Sequence, residues 1–321
     1  MSAPTAALSA PGRPVADILS DPTFQKVCLG TALIGATSGA LGSFSYLRRQ
    51  ALIGDVISHS ALLGVMGAFL LSAVATGVGS KSFAVLLPGA LVAGVAAMLL
   101  ARVITAHTRL KGDAALGVLL ALFFGTGLLL LRYAQKSPNI SGHAGLEDYI
   151  FGLAAAMTTD DLVLISALAA VALGATSLLW PALKLHTFDR AFAHSVGFHA
   201  RRVDVVLILL QVVGIVIGIH AVGVVLMVSL MVAPAAAARQ WTGSLGRMLL
   251  LAATFGAASG ALGSLLSAAY SGAPTGPMIV LVATCIFVAS ILFAPGRGML
   301  SRGRARRLAR ASVTATTEVG A

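Results

Sequence analysis

ALIGDVISHSALLGVMGAFLLSAVATG, residues 51–77, is the stretch whose reading decides the fold. After His59 it carries no charged residue as far as Gly77. A helix needs about 20 apolar residues to cross a hydrocarbon core of about 30 Å, and this run meets that length. A helix apolar on every face has no side to offer water, so the stretch reads as a membrane span rather than as the surface helix of a soluble domain. Outward from it, similar runs recur at residues 24–46, 82–106, 113–133, 159–183, 203–219, 222–238, 248–270 and 276–294. Only 10% of the 321 residues are charged and 58% are hydrophobic, whereas an ordinary soluble domain carries roughly 25% charge. In lipid each span must satisfy its own backbone hydrogen bonds, which points to helices. The expected fold is an all-α polytopic bundle of about nine transmembrane helices, with eight to ten allowed by redrawing the boundaries. It divides into a disordered leader (1–23), a membrane domain (24–295) and a basic tail (296–321).

The formal net charge of +11 raises the question of nucleic acid, and the placement of the basic residues answers it. Arg48 and Arg49, then Arg102, Arg109 and Lys111, then Lys184, Arg190, Arg201 and Arg202, then Arg239 and Arg247 occupy alternate loops, and the tail adds Arg297, Arg302, Arg304, Arg306, Arg307 and Arg310. Short cytoplasmic loops retain Lys and Arg, so that side is expected to be cytoplasmic, with the C-terminus inside and the leader outside. The basic residues then have a topological role, and no nucleic-acid partner is implied. Anionic lipid is the partner within reach of the tail. Residues 1–23 lack a basic start, an apolar run and a cleavage site, so they do not read as a signal peptide. Cys28 and Cys285 lie singly in apolar spans without CxxC spacing, and are expected to be small buried hydrophobes.

Small residues recur at helix-packing spacing in Gly35/Gly39, Gly214/Gly218 and Gly256/Gly260. GATSGALGS at 35–43 nearly recurs as GAASGALGS at 256–264, on spans expected to run in opposite directions. An inverted repeat and an independent recurrence of two glycine-rich packing faces both fit that observation.

The residues that carry chemistry begin with GDVISH at 54–59. Asp55 and His59 stand four residues apart, on one helical face. An acid near the centre of a membrane helix costs about 2.5–3.5 kcal/mol on insertion scales, so it is read first as functional. Asp55 lies near the start of its span, which leaves a second reading open, a helix-start acid paired with Arg48 or Arg49. A carboxylate oxygen and an imidazole nitrogen suit manganese, iron or zinc, and two ligands hold weakly enough for an ion to leave again. The polar stretch HTFDRAFAHSVGFHARR at 186–202 is amphipathic enough for a short surface helix that could dock a soluble partner. Its His186, His194 and His199 have no i, i+4 pair and are expected to be solvated. On the opposite side, NISGHAGLEDYIFG at 139–152 sets His143, Glu147 and Asp148 in a loop able to receive a protein. GSKS at 79–82 lacks the spacing of a phosphate-binding loop, and neither GxSxG nor HExxH occurs, so the chain is not read as an enzyme.

LRRQALIGDVISHSALLGV at 47–65 resembles the signature region of the metal-ion permease subunits of ABC importers, the manganese, zinc and iron uptake family. HTFDRAFAHSVGF at 186–198 is similar to that family's cytoplasmic coupling segment, AVGVVLMVSLMVAPAAAARQWT at 221–242 to its late span with a proline, and SGAPTGPMIVLV at 271–282 to its final hairpin. The resemblance covers most of residues 24–295. It implies a permease in the bacterial inner membrane, paired with a second copy or a homologue, driven by separate ATPase subunits and fed by an extracytoplasmic metal-binding protein. It places Asp55 and His59 on the metal pathway, and assigns Asp189, Arg190, Phe192 and Gly197 to contact with the ATPase. The loop with His143, Glu147 and Asp148 would meet the binding protein. No cofactor is bound permanently, since the metal is cargo. GLEDYIFG at 145–152 looks closer to the manganese and iron branch than to the zinc branch. The alternative, a secondary carrier or channel without ATPase subunits, calls for a gradient-coupling acid at the middle of a span, and the sequence places none there.

Overall fold

The computed structural model describes residues 15–48, 50–137, 152, 154–197, 199–270, 273–295 and 298. Among the described residues twelve α-helices follow one another: α1 (Val15–Ser20), α2 (Pro22–Leu47), α3 (Ala51–Thr76), α4 (Phe83–His107), α5 (Gly112–Lys136), α6 (Thr159–Leu178), α7 (Trp180–Phe188), α8 (Arg190–Ser195), α9 (Ala200–Val222), α10 (Val224–Trp241), α11 (Leu245–Ala269) and α12 (Thr275–Phe293). Among the described residues nine of them are long and apolar enough to cross a membrane, and they coincide with the nine runs read from the sequence. Part of the stretch read as a leader is helical, since α1 forms over Val15–Ser20 and buries Ile18.

Side chains set where helices begin. Asp21 caps α2 by accepting from the Thr23 N–H at 2.8 Å, with Pro22 at the first helical position, where no amide donor is needed. Thr158 and Asp161 form a reciprocal capping box at the start of α6. Between α9 and α10 the chain reverses on Gly223 alone, at φ +87°, a backbone region that only glycine enters without strain.

Helix α2 is the axis of the bundle. It packs against α11 most extensively, and also against α10, α9 and α6. Its residues Gly39–Ser45 are all buried, and small side chains let the neighbouring backbones come close. Against α11, Gly35 meets Gly256, Gly39 meets Ala252, and Thr31 meets Gly260. The two helices are therefore antiparallel. In the near-repeat Gly35 aligns with Gly256, and under that alignment the Thr31–Gly260 and Gly39–Ala252 contacts exchange. The recurring stretches thus form one locally two-fold contact, centred on Gly35 and Gly256, and Thr31 Oγ1 donates to the Gly260 carbonyl across it at 3.1 Å.

The second group is α3 with α4 and α5, joined to the first through α9 and α10. Its core is apolar, with Ile57, Leu62, Met66 and Phe69 of α3 against Leu86 and Ala97 of α4, Leu119 of α5, and Val212 and Val216 of α9. Toward the outside, Leu71, Val74, Leu129 and Leu250 are exposed, a lateral surface suited to lipid. Cys285, expected to be buried, is exposed on this surface, and Cys28 is half-buried. A small apolar side chain gains as much from lipid as from a protein core, so burial was not required of it.

A β-carbon at Gly256 would collide with the Gly35 carbonyl, and backbone cannot move aside as a side chain can. Gly256→Leu is expected to destabilise the bundle at or above the upper end of the about 1–3 kcal/mol typical of overpacking. Gly117→Leu on α5, where a β-carbon meets open space, should leave stability unchanged. Thermal unfolding of the two detergent-solubilised variants compares them.

Candidate functional site

Helix α3 starts at Ala51 without a side-chain cap, so its first turns present GDVISH directly. Asp55 and His59 are both half-buried, one turn apart. His59 Nδ1 lies 2.9 Å from the Asp55 carbonyl oxygen. A carbonyl only accepts, so Nδ1 carries a proton; in the neutral ring this leaves the Nε2 lone pair free, as in a metal-ligating histidine oriented by a backbone oxygen. The ring is fixed from the other side by Phe124 of α5, edge to face with centroids 4.7 Å apart at 79°. Ser58 Oγ also donates to the Asp55 carbonyl, at 3.1 Å. The Asp55 carboxylate has no ion-pair partner among the described residues. No third His, Cys, Asp or Glu joins the pair among them either.

Arg48, one of the two cations the sequence offered as a partner for Asp55, does not pair with it, and the other, Arg49, lies outside the described residues. The Arg48 guanidinium binds Asp204 of α9 instead. His186 Nε2 donates to the same Asp204 Oδ1 at 2.8 Å, and Arg102 Nη2 of α4 lies 3.9 Å from Oδ2. Arg48 and His186 expose 9% and 0% of their side chains, so a carboxylate that stands 23% exposed gathers them in a nearly dry place. His186, expected in solvent, is thus buried, whereas His199 is exposed. Phe44, Leu183 and Leu207 belong to one buried apolar cluster contributed by α2, α7 and α9, the elements that supply or lead into Arg48, His186 and Asp204. Beside it a cavity of about 300 Å³ is lined by Arg48, Gln50, Ile53, Arg102, Asp204 and Gln211. Gln211 is buried as well and donates to Ser45 Oγ at 2.7 Å. The sequence reading missed Asp204 and Gln211. The signal that marked Asp55, an acid within an apolar span, applies equally to Asp204 in RRVDVV.

The segment expected to be one short surface helix is two, α7 and α8, broken at Asp189, whose backbone is extended. Asp189 Oδ1 accepts from the Phe192 N–H at 2.9 Å and so caps α8. Phe188, Phe192 and Val196 project outward, each more than half exposed, and the segment ends on Gly197 at φ +92°. Asp189 is exposed, and Arg190 opens α8. His143, Glu147 and Asp148 lie outside the described residues.

Residues 20–294 match the family model described as the ABC 3 transport family, and the chain belongs to that family. Among its relatives, the zinc transport system membrane protein TroC of Treponema pallidum is 44% identical over 283 residues, 88% of this chain and 93% of the relative. The manganese transport system membrane protein MntC of Bacillus subtilis is 40% identical over 293 residues, 91% of this chain and 66% of the relative. Among solved structures, PsaBC from Streptococcus pneumoniae in complex with Fab superposes with a TM-score of 0.76 at 28% identity, covering 88% of this chain and 98% of that one.

Removing one member of a buried ion pair leaves the others uncompensated, at a cost of about 3–5 kcal/mol. Asp204→Ala is therefore expected to lower the unfolding temperature far more than Asp189→Ala, whose carboxylate is exposed, as read by the melting of both solubilised variants.

Proposed function

We propose that this chain is the membrane-spanning permease subunit of an ATP-driven importer for divalent transition-metal ions, manganese, iron or zinc. The observation that carries the reading is the Asp55–His59 pair, a carboxylate with no Lys or Arg ion pair among the described residues and, one turn on, an imidazole whose Nδ1 is held by a backbone carbonyl. In a bilayer-embedded helix a charge in that state is expensive, and it is retained where an ion is to be met. The relatives named for zinc and for manganese stand at similar identities, so sequence likeness does not choose the metal.

The basic end of the bundle, with Arg48, Arg102, Arg202 and Arg239, faces the cytoplasm in this reading, and the C-terminus lies on that side. Metal delivered by an extracytoplasmic binding protein pauses at Asp55 and His59. Two donors are too few to hold a transition metal firmly, so the ion keeps water or borrows ligands, and it leaves readily. The permease works as a pair, its partner a second copy or a homologue, and a second Asp–His pair brought up across a two-fold axis would complete the coordination. Separate ATPase subunits dock on Asp189–Gly197, where Phe188, Phe192 and Val196 offer an apolar ridge and Gly197 gives the chain its turn. Such a ridge on a polar face is the mark of a protein contact. ATP binding brings the ATPases together and rocks the helices so that the path opens inward. No cofactor is resident.

Asp55→Ala and His59→Ala are each expected to cut metal uptake by more than the about 10–100-fold that loss of a ligand's supporting partner costs. Membrane insertion should be unchanged, and the assay is accumulation of manganese, zinc and iron in a metal-depleted host. Ordinary uptake by both variants would take the pair off the pathway. Phe192→Asp should abolish co-purification of the ATPase while leaving the permease in the membrane at wild-type level; a retained complex would move the docking surface elsewhere.

A further inference from the structure

The ionic cluster holds no cargo in the reading above, yet its members tie four elements of the fold to one carboxylate. His186 sits in the last turn of α7, directly ahead of the break at Asp189, and Asp204 sits in the second turn of α9, soon after Gly197. The segment 189–197 is therefore flanked on both sides by residues bonded to each other, His186 Nε2 to Asp204 Oδ1 at 2.8 Å. The same carboxylate oxygen holds Arg48, which follows α2 and lies three residues ahead of α3, the helix of Asp55 and His59. Arg102 brings in α4, the neighbour of α3. Arg48 and His186 are almost wholly buried where they meet Asp204, which weakens the competition of water for that part of the cluster.

From this geometry we infer that Asp204 is the latch through which movement of the segment 189–197 reaches the metal-site helix. Displacement of α7 or α9 pulls on Arg48 through one shared carboxylate, and Arg48 leads into α3. Asp204, Arg48 and His186 are then positioning residues, acting on Asp55 and His59 through the backbone between them. The inference rests on the reading of the segment 189–197 as the ATPase contact.

The test uses the complete permease–ATPase complex in proteoliposomes, with uptake of Mn²⁺, Zn²⁺ and Fe²⁺ in turn and ATP hydrolysis measured on the same vesicles. Asp204→Asn keeps side-chain shape and removes charge, and Arg48→Gln removes the charge with a shorter polar side chain. Each is expected to retain the ATPase and its hydrolysis while metal moved per ATP falls at least tenfold, and Asp204→Glu should recover part of that ratio. An unchanged ratio in both charge-removing variants would overturn the latch, because a purely structural role lowers uptake and hydrolysis together. If those variants fail to insert, the wild-type path is read by spin labels at Lys184, Leu52 and Leu250, all exposed. ATP binding should leave the Lys184–Leu52 distance fixed while Lys184–Leu250 changes, and a comparable change in both would also overturn it. A wild-type complex that recruits no ATPase, or moves none of the three ions, would instead remove the permease reading itself.

Discussion

A charge enclosed by apolar helices has either to be met by an opposite charge or to be kept bare for something that arrives, because the bilayer supplies no water to screen it. Among the described residues Asp204 is of the first kind, and Asp55 on a neighbouring helix is the candidate for the second. Asp204 on α9 is surrounded by Arg48, His186 and Arg102. Asp55 on α3 has no such company among the described residues, although Arg48 lies only two turns back along the chain. The distribution of cations therefore separates a structural carboxylate from a candidate ligand more sharply than the depth of either acid would.

That separation depends on how the helices are packed. Glycine and alanine along α2 let α10 and α11 approach its backbone, which turns α2 into a buried axis and carries Arg48 beneath the bundle toward α9. The larger apolar residues of α3, α4 and α5 build the adjoining group, and Phe124 on α5 reaches back to hold the His59 ring. The close packing of one group thus delivers the guanidinium that is needed elsewhere, and the looser face of the other leaves Asp55 and His59 half open.

The spans were legible because the signal for them is length and apolarity, both local properties of the chain. The Asp55–His59 pair was legible for a related reason, since four-residue spacing fixes a shared face. Long-range pairing was not. Nothing in LRRQ states that Arg48 will meet an acid far along the chain, and the polar tone of HTFDRAFAHSVGFHARR suggested solvent for His186 where the fold provides burial. The break at Asp189 was hidden as well, since an acid can cap a new helix or decorate an existing one, and its neighbours alone do not decide. In the near-repeat the sequence showed the likeness, and only the packing showed that its two copies touch.

The meeting of Gly35 with Gly256 has a consequence for how this chain can change over time. In an ordinary core, enlargement of one residue can be absorbed by shrinkage of the one it touches, so pairs of positions drift together. Here each α-carbon is opposed by the other's carbonyl oxygen, and neither residue has a side chain left to give up. No compensating replacement exists on either side, so the distance between these two helices is closed to gradual divergence, whatever ion the lineage comes to carry.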